Sequence, residues 1–353
     1  MLAVTAERPG AVELDVEVEG VRGPALAYPG LTGPVRPGDV VVLNTTAVAL
    51  GLGTGGFHLV VAVEGGPDVD PSVPGRVMKA RYTPLQAAVR TAEETDRDAL
   101  ESSPGLEGTP VVVAPLHSMV ALAAAGAKAA GAERVAYVMT DGAALPGALS
   151  RLVPRLRRAG LLDAFLTAGQ AFGGEVEAAS VWTGLLAARM VLEADVIVAA
   201  DGPGNLGTDT RWGVSALLGG NTLNAAATLG GRPVAALRIS FADPRERHRG
   251  VSHHSLTILS EVCRVPANVA VPVLEGTERE TVWDALRAAG LEDRHQLVEV
   301  EGQPALTELA ELGVDVESMG RTTTDDPAFF LAAGAAGVLA GRMAEQTKRW
   351  TVR

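Results

Sequence analysis

The chain has 353 residues, enough for two domains or for one large domain with an appendage. Apolar residues make up 47% and charged residues 20%, so the chain can bury a core and is not globally disordered. Its 42 acidic against 30 basic side chains give a formal net charge of −12, which argues against a nucleic-acid partner because such proteins normally present a basic face.

The sequence also restricts the compartment. Cys263 is the single cysteine, which excludes an intramolecular disulfide and fits a reducing environment. The N-terminus lacks a basic segment followed by an apolar core, and no uncharged apolar run reaches about 18 residues. We therefore expect a cytoplasmic protein with no membrane partner. The acidic, apolar-rich composition is compatible with a homo-oligomer, which we expect without assigning a stoichiometry.

Short strands separated by turns are predicted for residues 1–66. Apolar and acidic residues alternate in Val12–Val18, which is the period of a half-buried strand, and Asp39–Thr45 and Phe57–Val63 are further strand-like runs. Pro-Gly pairs and the glycine-rich run Gly51–Gly56 mark turns. This pattern predicts a small all-β domain resembling a barrel or a sandwich.

A linker and a transition helix are predicted for residues 67–108. The segment Pro67–Pro74 is acidic and proline-rich, which is typical of a loop. Gln86–Leu100 can be helical, and Ser102–Gly108 interrupts that pattern.

Strand-like and helical segments alternate over residues 109–353. This alternation predicts an α/β fold with a doubly wound, mostly parallel sheet, and the nearly all-apolar strands indicate helices on both faces. The predicted strands are Val111–Pro115, Arg134–Thr140, Ala164–Ala168, Asp195–Ala200, Val234–Ile239, Asn268–Val273 and Gln296–Val300. The predicted helices are Met119–Ala130, Leu145–Arg158, Glu175–Leu192, Val214–Leu229, His254–Val262, Glu278–Ala289 and Ala328–Arg349.

Ligands of open parallel sheets bind at the carboxyl ends of the strands, so the residues that follow each strand are candidates. His117 and Ser118 follow the strand Val111–Pro115. Ser118 can simply cap the next helix, or the pair can bind a ligand or act as base and nucleophile. The Gly-x-Ser-x-Gly sequence of a nucleophile elbow is missing.

The loop from Asp201 to Arg211 is the most informative stretch. Its glycines allow tight backbone turns whose N–H groups can hold an anion, and Arg211 offers a fork for phosphate or carboxylate. Asp201 can hold a divalent cation, act as a base or only cap the turn. Neither a Walker A loop nor a dinucleotide fingerprint is present, so a divalent metal is the cofactor we consider. The expected ligand-binding residues are Gly202, Gly204, Asn205, Gly207 and Thr208.

Three of the six histidines, His248, His253 and His254, lie in the loop after Val234–Ile239. Neutral imidazoles can bind a metal or shuttle protons, and we expect such a role for His253 or His254. Adjacent histidines usually point apart, so we do not expect these two to share one metal. The zinc-binding spacings are absent. Arg245, Arg247 and Arg249 in the same loop form either a solvated run or a phosphate clamp.

Three residues elsewhere complete the candidate ligand-binding set. Arg81 and Tyr82 lie where the two predicted parts join, and clefts between domains often hold ligands, although an ordinary surface role is the alternative. Arg321 precedes the last predicted helix and can face the site.

Five motifs together resemble a known family over nearly the whole chain. They are Arg81-Tyr82-Thr83-Pro84-Leu85-Gln86, Leu116-His117-Ser118-Met119, Asp201-Gly202-Pro203-Gly204-Asn205-Leu206-Gly207-Thr208, His253-His254-Ser255 and Met319-Gly320-Arg321-Thr322. The chain resembles a bacterial family of unknown function, number 3866 in the domain-of-unknown-function series. This resemblance implies no activity, substrate or catalytic residue.

We therefore expect an enzyme of the hydrolase or transferase type that acts on a small anionic, phosphorylated or nucleotide-like molecule. The loop after Asp201 would cradle the anion, Arg211 or Arg321 would clamp it, and His117, His253 or His254 would move protons. One alternative is a non-catalytic, small-molecule-binding regulatory protein, in which His253 and His254 are dispensable for binding. Another is a structural homo-oligomeric subunit, which needs no polar pocket.

Overall fold

The computed structural model of the chain describes residues 1–52, 55–67, 69 and 75–351, with side chains up to residue 347. Part of the glycine-rich run Gly51–Gly56 and most of the predicted Pro67–Pro74 loop lie outside the described residues.

Five strands near the N-terminus form one sheet. Neighbouring strands run antiparallel in the order β1-β2-β3-β5-β4, except that β3 and β5 are parallel. Leu14, Val16 and Ala25 are fully or almost fully buried on one side of it. The strands are β1 (Ala3–Arg8), β2 (Ala11–Val18), β3 (Val21–Ala27), β4 (Val41–Asn44) and β5 (His58–Val63), with the single helical turns α1 (Pro29–Thr32) and α2 (Thr46–Ala49) between them.

A two-stranded hairpin connects this sheet to the rest of the chain. It pairs β6 (Val77–Lys79) with β7 (Ala87–Val89), and two short helices follow, α3 (Ala92–Thr95) and α4 (Arg97–Glu101). The predicted helix over Gln86–Leu100 is therefore wrong in its first part, because pairing with β6 draws that segment into a strand. Thr91 and Glu94 form the capping box that starts α3. The predicted boundaries at residues 66 and 108 stay predictions.

The remaining chain alternates strands and helices. The strands are β8 (Pro110–Ala114), β9 (Val135–Thr140), β10 (Ala164–Ala168), β11 (Val176–Ala178), β12 (Val196–Asp201), β13 (Arg232–Ala236), β14 (Ile239–Ser240), β15 (Gly250–Val251), β16 (Asn268–Pro272) and β17 (Gln296–Val300). The helices are α5 (Val120–Ala129), α6 (Leu152–Arg158), α7 (Val181–Met190), α8 (Leu218–Thr228), α9 (His253–Thr257), α10 (Gly276–Ala288), α11 (Gln303–Glu311) and α12 (Pro327–Thr351).

Eight of these strands form one all-parallel sheet in the order β11-β10-β9-β12-β8-β13-β16-β17. Helices α5, α6, α11 and α12 cover one face, and α7, α8 and α10 cover the other. Both faces of the central strands are buried, which explains their nearly uninterrupted apolar sequence. The predicted doubly wound α/β fold with a small N-terminal all-β part is thus confirmed. The strands β1–β5 form a single sheet, and a barrel or sandwich in this part stays a prediction.

The sheet has a topological switch point between β8 and β12. From β8 the chain passes through α5 to β9 on one side, whereas from β12 it passes through α8 to β13 on the other. Ala200 of β12 lies beside Ala114 of β8, so the loops that begin at Pro115 and Gly202 leave the sheet side by side. Open α/β sheets bind their ligands at such a point.

Helix α12 packs so closely against α5 that the backbones of the two helices are in contact. A Cβ added at Gly337 would lie 2.1 Å from the carbonyl oxygen of Ala123, and one at Gly126 would lie 2.5 Å from that of Gly334. Among the described residues, α12 is the one helix long and apolar enough to span a membrane, yet 78% of its most apolar window is buried inside the protein. The core helix of a soluble globular protein shows the same pattern.

Candidate functional site

A cleft of about 700 Å³ opens at the switch point. It is lined by the loops that follow β8, β12 and β13, by the loop that precedes α12, and by the start of α6. Most of the loops that the sequence singled out therefore meet at one place. The sequence-predicted residues on the wall of the cleft are His117, Ser118, Gly204, Asn205, Gly207 and His254.

His117 is engaged at both ring nitrogens. Nδ1 lies 3.0 Å from the Tyr137 hydroxyl, and Nε2 lies 2.8 Å from Ser150 Oγ. Because the Tyr137 hydroxyl donates to the carbonyl oxygen of Asp201 at 3.1 Å, it accepts from Nδ1–H, and Nε2 accepts from Ser150. Burial lowers the pKa of His117 to about 4. The imidazole is therefore neutral and connects the loop after β8 to β9 and to the start of α6.

Asp201 is buried and does not line the cleft. Its Oδ1 accepts hydrogen bonds from the Thr140 hydroxyl at 2.5 Å and from the Gly142 N–H at 3.2 Å, and its Oδ2 accepts from the Asn205 amide at 3.3 Å. Burial raises the pKa of Asp201, and the nearby Asp141 adds to this effect. A Cβ at Gly142 would lie 2.4 Å from Oδ2, so only glycine allows this approach. Asp201 holds together the loops after β9 and β12.

The outer part of the loop after β12 folds into a hairpin. The N–H and hydroxyl of Thr208 donate to the carbonyl oxygen of Gly213 at 2.9 and 3.0 Å. The Arg211 guanidinium donates to Glu261 at 2.7 Å and lies over the Trp212 ring. Thr208 and Arg211 therefore stabilise the hairpin and do not line the cleft.

Five other predicted residues also lie off the cleft wall, and two of them, His253 and Arg321, belong to clusters beside it. Gly202 is buried against Ala144, where a Cβ would lie 2.6 Å from the carbonyl oxygen. Arg81 lines a separate cavity of about 370 Å³ beyond the ends of β9 and β10. Tyr82 is 97% exposed. Ser118, by contrast, bridges two loops of the cleft through a 2.9 Å hydrogen bond between its hydroxyl and that of Ser318.

One edge of the site is a set of arginines around a buried carboxylate, which we call the arginine cluster: Arg238, Arg245 and Arg321 around Asp243. Arg238 and Arg245 contact Asp243 Oδ2 at 3.0 and 2.8 Å, and Arg321 lies 3.7 Å from it. Burial alone would raise the pKa of Asp243, but Arg245 and Arg238 outweigh it and hold that pKa well below the usual range. Arg238 and Arg245 line the cleft.

The arginine cluster carries more positive than negative charge. Arg321 also contacts Asp326 at 3.1 Å, so three guanidinium groups share two carboxylates. Arg238 is 5% exposed, and its Nε has no hydrogen-bond partner among the described protein atoms. Burial and the neighbouring Arg245 lower the pKa of Arg238 to about 10, which leaves it protonated at neutral pH.

Three imidazoles meet beside the arginine cluster, and we call them the histidine trio: His248, His253 and His254. Their ring centroids lie 4.0 to 5.2 Å apart, with His253 and His254 closest. The expectation that these adjacent rings point apart is therefore wrong. Burial, reinforced by Arg238, lowers the pKa of His248 to about 3, and burial and His253 lower that of His254 to about 4. His248 and His254 line the cleft as neutral imidazoles.

Sequence reasoning missed several residues of the site. Arg238 lies in a predicted strand, and Asp243 lies in a loop noted only for its arginines and histidines. Of the three loop arginines, Arg245 and Arg247 line the cleft, whereas Arg249 is exposed and does not. The dense run of basic residues and histidines was the signal, but it does not reveal which side chains turn inward.

The fold and the cleft define an α/β protein with a doubly wound parallel sheet and a polar site at its switch point. The chain belongs to the family described as "Protein of unknown function (DUF3866)", whose model matches residues 24–337. Neither a curated protein nor a solved structure matches the chain.

Proposed function

We propose that this protein is an enzyme of the hydrolase or transferase type that binds a small phosphorylated or nucleotide-like anion in the cleft. The observation that carries the proposal is Arg238, a buried cation on the cleft wall with an unpartnered N–H. A buried N–H without a partner costs about 1–3 kcal/mol, and a buried charge without full compensation costs more. An anion in the cleft would offset the cost of the buried charge.

The other cleft residues suit the same ligand. Arg245 is half-exposed, so it can keep its bond to Asp243 and offer a second N–H to an anion. Gly204, Asn205 and Gly207 also line the cleft, on the loop that would cradle the anion. In this proposal the clamp consists of Arg238 and Arg245, since Arg211 is paired with Glu261.

The polar groups near the cleft divide into supporting and reactive sets. His117 and Asp201 have their polar atoms engaged and position the loops around them. Neutral His254 can accept a proton from an attacking hydroxyl or water, and Ser118 lies on the same wall. These reactive groups favour catalysis over a purely regulatory binding role, and the convergence of the loops favours a binding site over a purely structural subunit.

Binding of inorganic phosphate, pyrophosphate and nucleoside phosphates, followed by calorimetry, tests the proposal. Arg245→Gln should weaken binding of the best ligand by about 10- to 100-fold, because a hydrogen bond to a charged group is worth about 1.5–3 kcal/mol. Arg249→Gln changes an exposed arginine of the same loop and should leave affinity unchanged. Equal effects in both variants, or no binding by the wild type, would refute the anion site.

Turnover separates the enzyme from the regulatory protein. The wild type should release or transfer phosphate from the ligand that binds best, and Arg245→Gln should lower that rate. Tight binding of a phosphorylated ligand without turnover of any compound in the panel would favour the regulatory alternative.

We also propose a cytoplasmic location and self-association, without a nucleic-acid or membrane partner. Leu206 and Trp212, 65% and 57% exposed, put apolar surface on the hairpin that a second copy can cover. Cell fractionation tests the location, and light scattering of the purified protein tests self-association.

A further inference from the structure

The histidine trio has the geometry of a metal site. One ring nitrogen from each of His248, His253 and His254 lies within 4.8 Å of the other two. Two ligands about 2.0–2.1 Å from a common zinc ion in a tetrahedral site lie about 3.3 Å apart, so the three nitrogens would draw together by at most about 1.5 Å when the ion binds. His253 and His254 lie in the first turn of α9, which Ser252 caps, and their ring centroids are 4.0 Å apart.

The donor atoms of the trio are arranged as metal ligands are. His248 Nδ1 lies 2.8 Å from Ser252 Oγ, and a proton shared there leaves Nε2 as the ligand atom. Metal-binding histidines usually have their second nitrogen fixed in this way. His253 Nε2 is buried and has no hydrogen-bond partner among the described protein atoms, so a lone pair on it lacks any other use.

We infer that His248, His253 and His254 bind one first-row transition-metal ion such as Zn²⁺. Three neutral imidazoles suit zinc, copper, nickel and iron, and three protein ligands leave a coordination position for a water or substrate. Because His248 and His254 line the cleft, that position faces the proposed anion. A metal there would engage the ring nitrogen of His254, so a metal-bound water of lowered pKa would take over the proton-accepting role given above to His254. The metal would also polarise a phosphoryl oxygen. This site is separate from Asp201.

The arginines beside the histidine trio set a condition on this site. Positive charge at Arg238, Arg245 and Arg247 opposes a bare cation, so an anion beside the metal should tighten its binding. This coupling rests on the proposed function, whereas binding of the metal alone does not. Metal and anion can therefore be tested separately.

The first experiment titrates metal-free protein with Zn²⁺ alone by calorimetry and measures zinc content by mass spectrometry. Co²⁺ serves as a second probe, since its visible absorption reports imidazole ligation. We expect one zinc per chain, with His253→Asn and His254→Asn weakening its binding roughly 100-fold or more. His58→Asn alters a histidine in β5 and should bind zinc like the wild type.

Circular dichroism of the metal-free variants checks that they fold, and His253→Asn, at the less buried position, remains informative if His254→Asn does not fold. Absence of stoichiometric zinc, or equal zinc affinity in all three variants, would overturn the inference. If the protein binds phosphate but not zinc, the inferred metal site is refuted and the proposed function is not. If it binds zinc but no phosphorylated compound, the proposed function is refuted and the metal site is not.

Discussion

Lys79 is fully buried, and its ammonium group is surrounded by acceptors. It donates to the carbonyl oxygens of Gly169, Ala171 and Ala178 at 2.8–3.0 Å and lies 3.3 Å from Glu177 Oε2. Burial lowers the pKa of Lys79 and raises that of Glu177, and each charge partly offsets the effect on the other. A single side chain of β6 thus connects the hairpin to the edge of the large sheet.

Replacing Lys79 by Met should lower the free energy of unfolding by about 3–5 kcal/mol, because it leaves three carbonyls and a buried carboxylate without their cation. Urea unfolding at pH 7 measures the loss. Lys128→Met removes a partly exposed ion pair with Asp163 and should cost about 1 kcal/mol or less. Adding Glu177→Gln to Lys79→Met should recover part of the stability. Similar losses at Lys79 and Lys128 would contradict this account.

At the scale of single residues, the sequence indicates which loops carry polar groups but not their partners. His117 and Asp201 were predicted to act on a ligand, and their polar atoms contact Tyr137, Ser150, Thr140 and Asn205 instead. Tyr137 and Thr140 lie in β9, and Ser150 lies just before α6, so no local spacing reveals them. Asn205 is the one partner close in sequence, four residues after Asp201. Lys79, likewise, bonds to carbonyls about 90 to 100 positions along the chain.

Among the secondary-structure elements, α5 and α12 depend most directly on small residues. Four glycines allow close backbone approach at these helices: Gly126 of α5, and Gly334, Gly337 and Gly341 of α12. Close backbone approach maximises dispersion contacts, and it leaves no space for added atoms.

Gly337→Ala should therefore destabilise the protein by about 1–3 kcal/mol or more, although alanine favours helices, because its Cβ meets backbone atoms that cannot move aside alone. Gly219→Ala in α8 is the matched control, since its Cβ would meet only a methyl group of Val113, at 3.3 Å. Thermal unfolding should show a lower Tm for Gly337→Ala and an equal or higher Tm for Gly219→Ala. The reverse order would refute the packing argument.

Most strands and helices of the α/β part were predictable because each has a clear pattern of apolar residues typical of a strand or of a helix. Ala164–Ala168 and Gln296–Val300 have the predicted bounds. The helix predicted over Glu175–Leu192 is wrong at its start, where Val176–Ala178 pairs with β10 and the helix begins after the Ser180 cap. Helix α11 was not predicted at all. Three-residue strands lack a period of their own and form only because a neighbouring strand offers its edge.

For the molecule as a whole, Glu13 fastens the N-terminal sheet to the α/β part. Its carboxylate accepts from Arg8 at 2.5 Å and from Arg151 at 2.5–2.9 Å, and Arg8 also donates to the carbonyl oxygen of Ala148. Burial would raise the pKa of Glu13, but Arg151 and Arg8 outweigh it and hold that pKa below its usual value. Arg151 also lines the cleft, so the N-terminal sheet helps to shape the site.

The sign of the pH effect follows from this lowered pKa. The ionised Glu13 contributes stability above the unfolded pKa of about 4.3, and this contribution disappears as the pH falls through the lower folded pKa. Glu13→Gln should cost about 2 kcal/mol at pH 7 and progressively less below about pH 4. Exposed Glu17 on the same strand supplies the control, Glu17→Gln. Unfolding curves across this pH range would contradict the account if the loss at Glu13 did not depend on pH.

The class of the whole fold was predictable, whereas the order of its strands and the composition of its cleft were not. Alternation of strands and helices requires a parallel sheet, but it does not require β8 to lie between β12 and β13. The cleft exists because of that order, which brings the loops after β8 and β12 together. The arginine cluster depends in addition on the loop before α12, which supplies Arg321.

The packing of α12 on α5 also fixes when the protein can fold. Ser118 and Ser318, which close the cleft near these helices, are 200 residues apart in the sequence. During translation, α5 emerges early, and the alanine-rich face that α12 covers stays open until α12 has been synthesised. The strands of the large sheet can pair as they are synthesised. The helical layer that contains α5 and α12, and the cleft, are incomplete until α12 has been synthesised. Contacts between residues so far apart in sequence slow folding in general, so we expect the growing chain to need protection from aggregation.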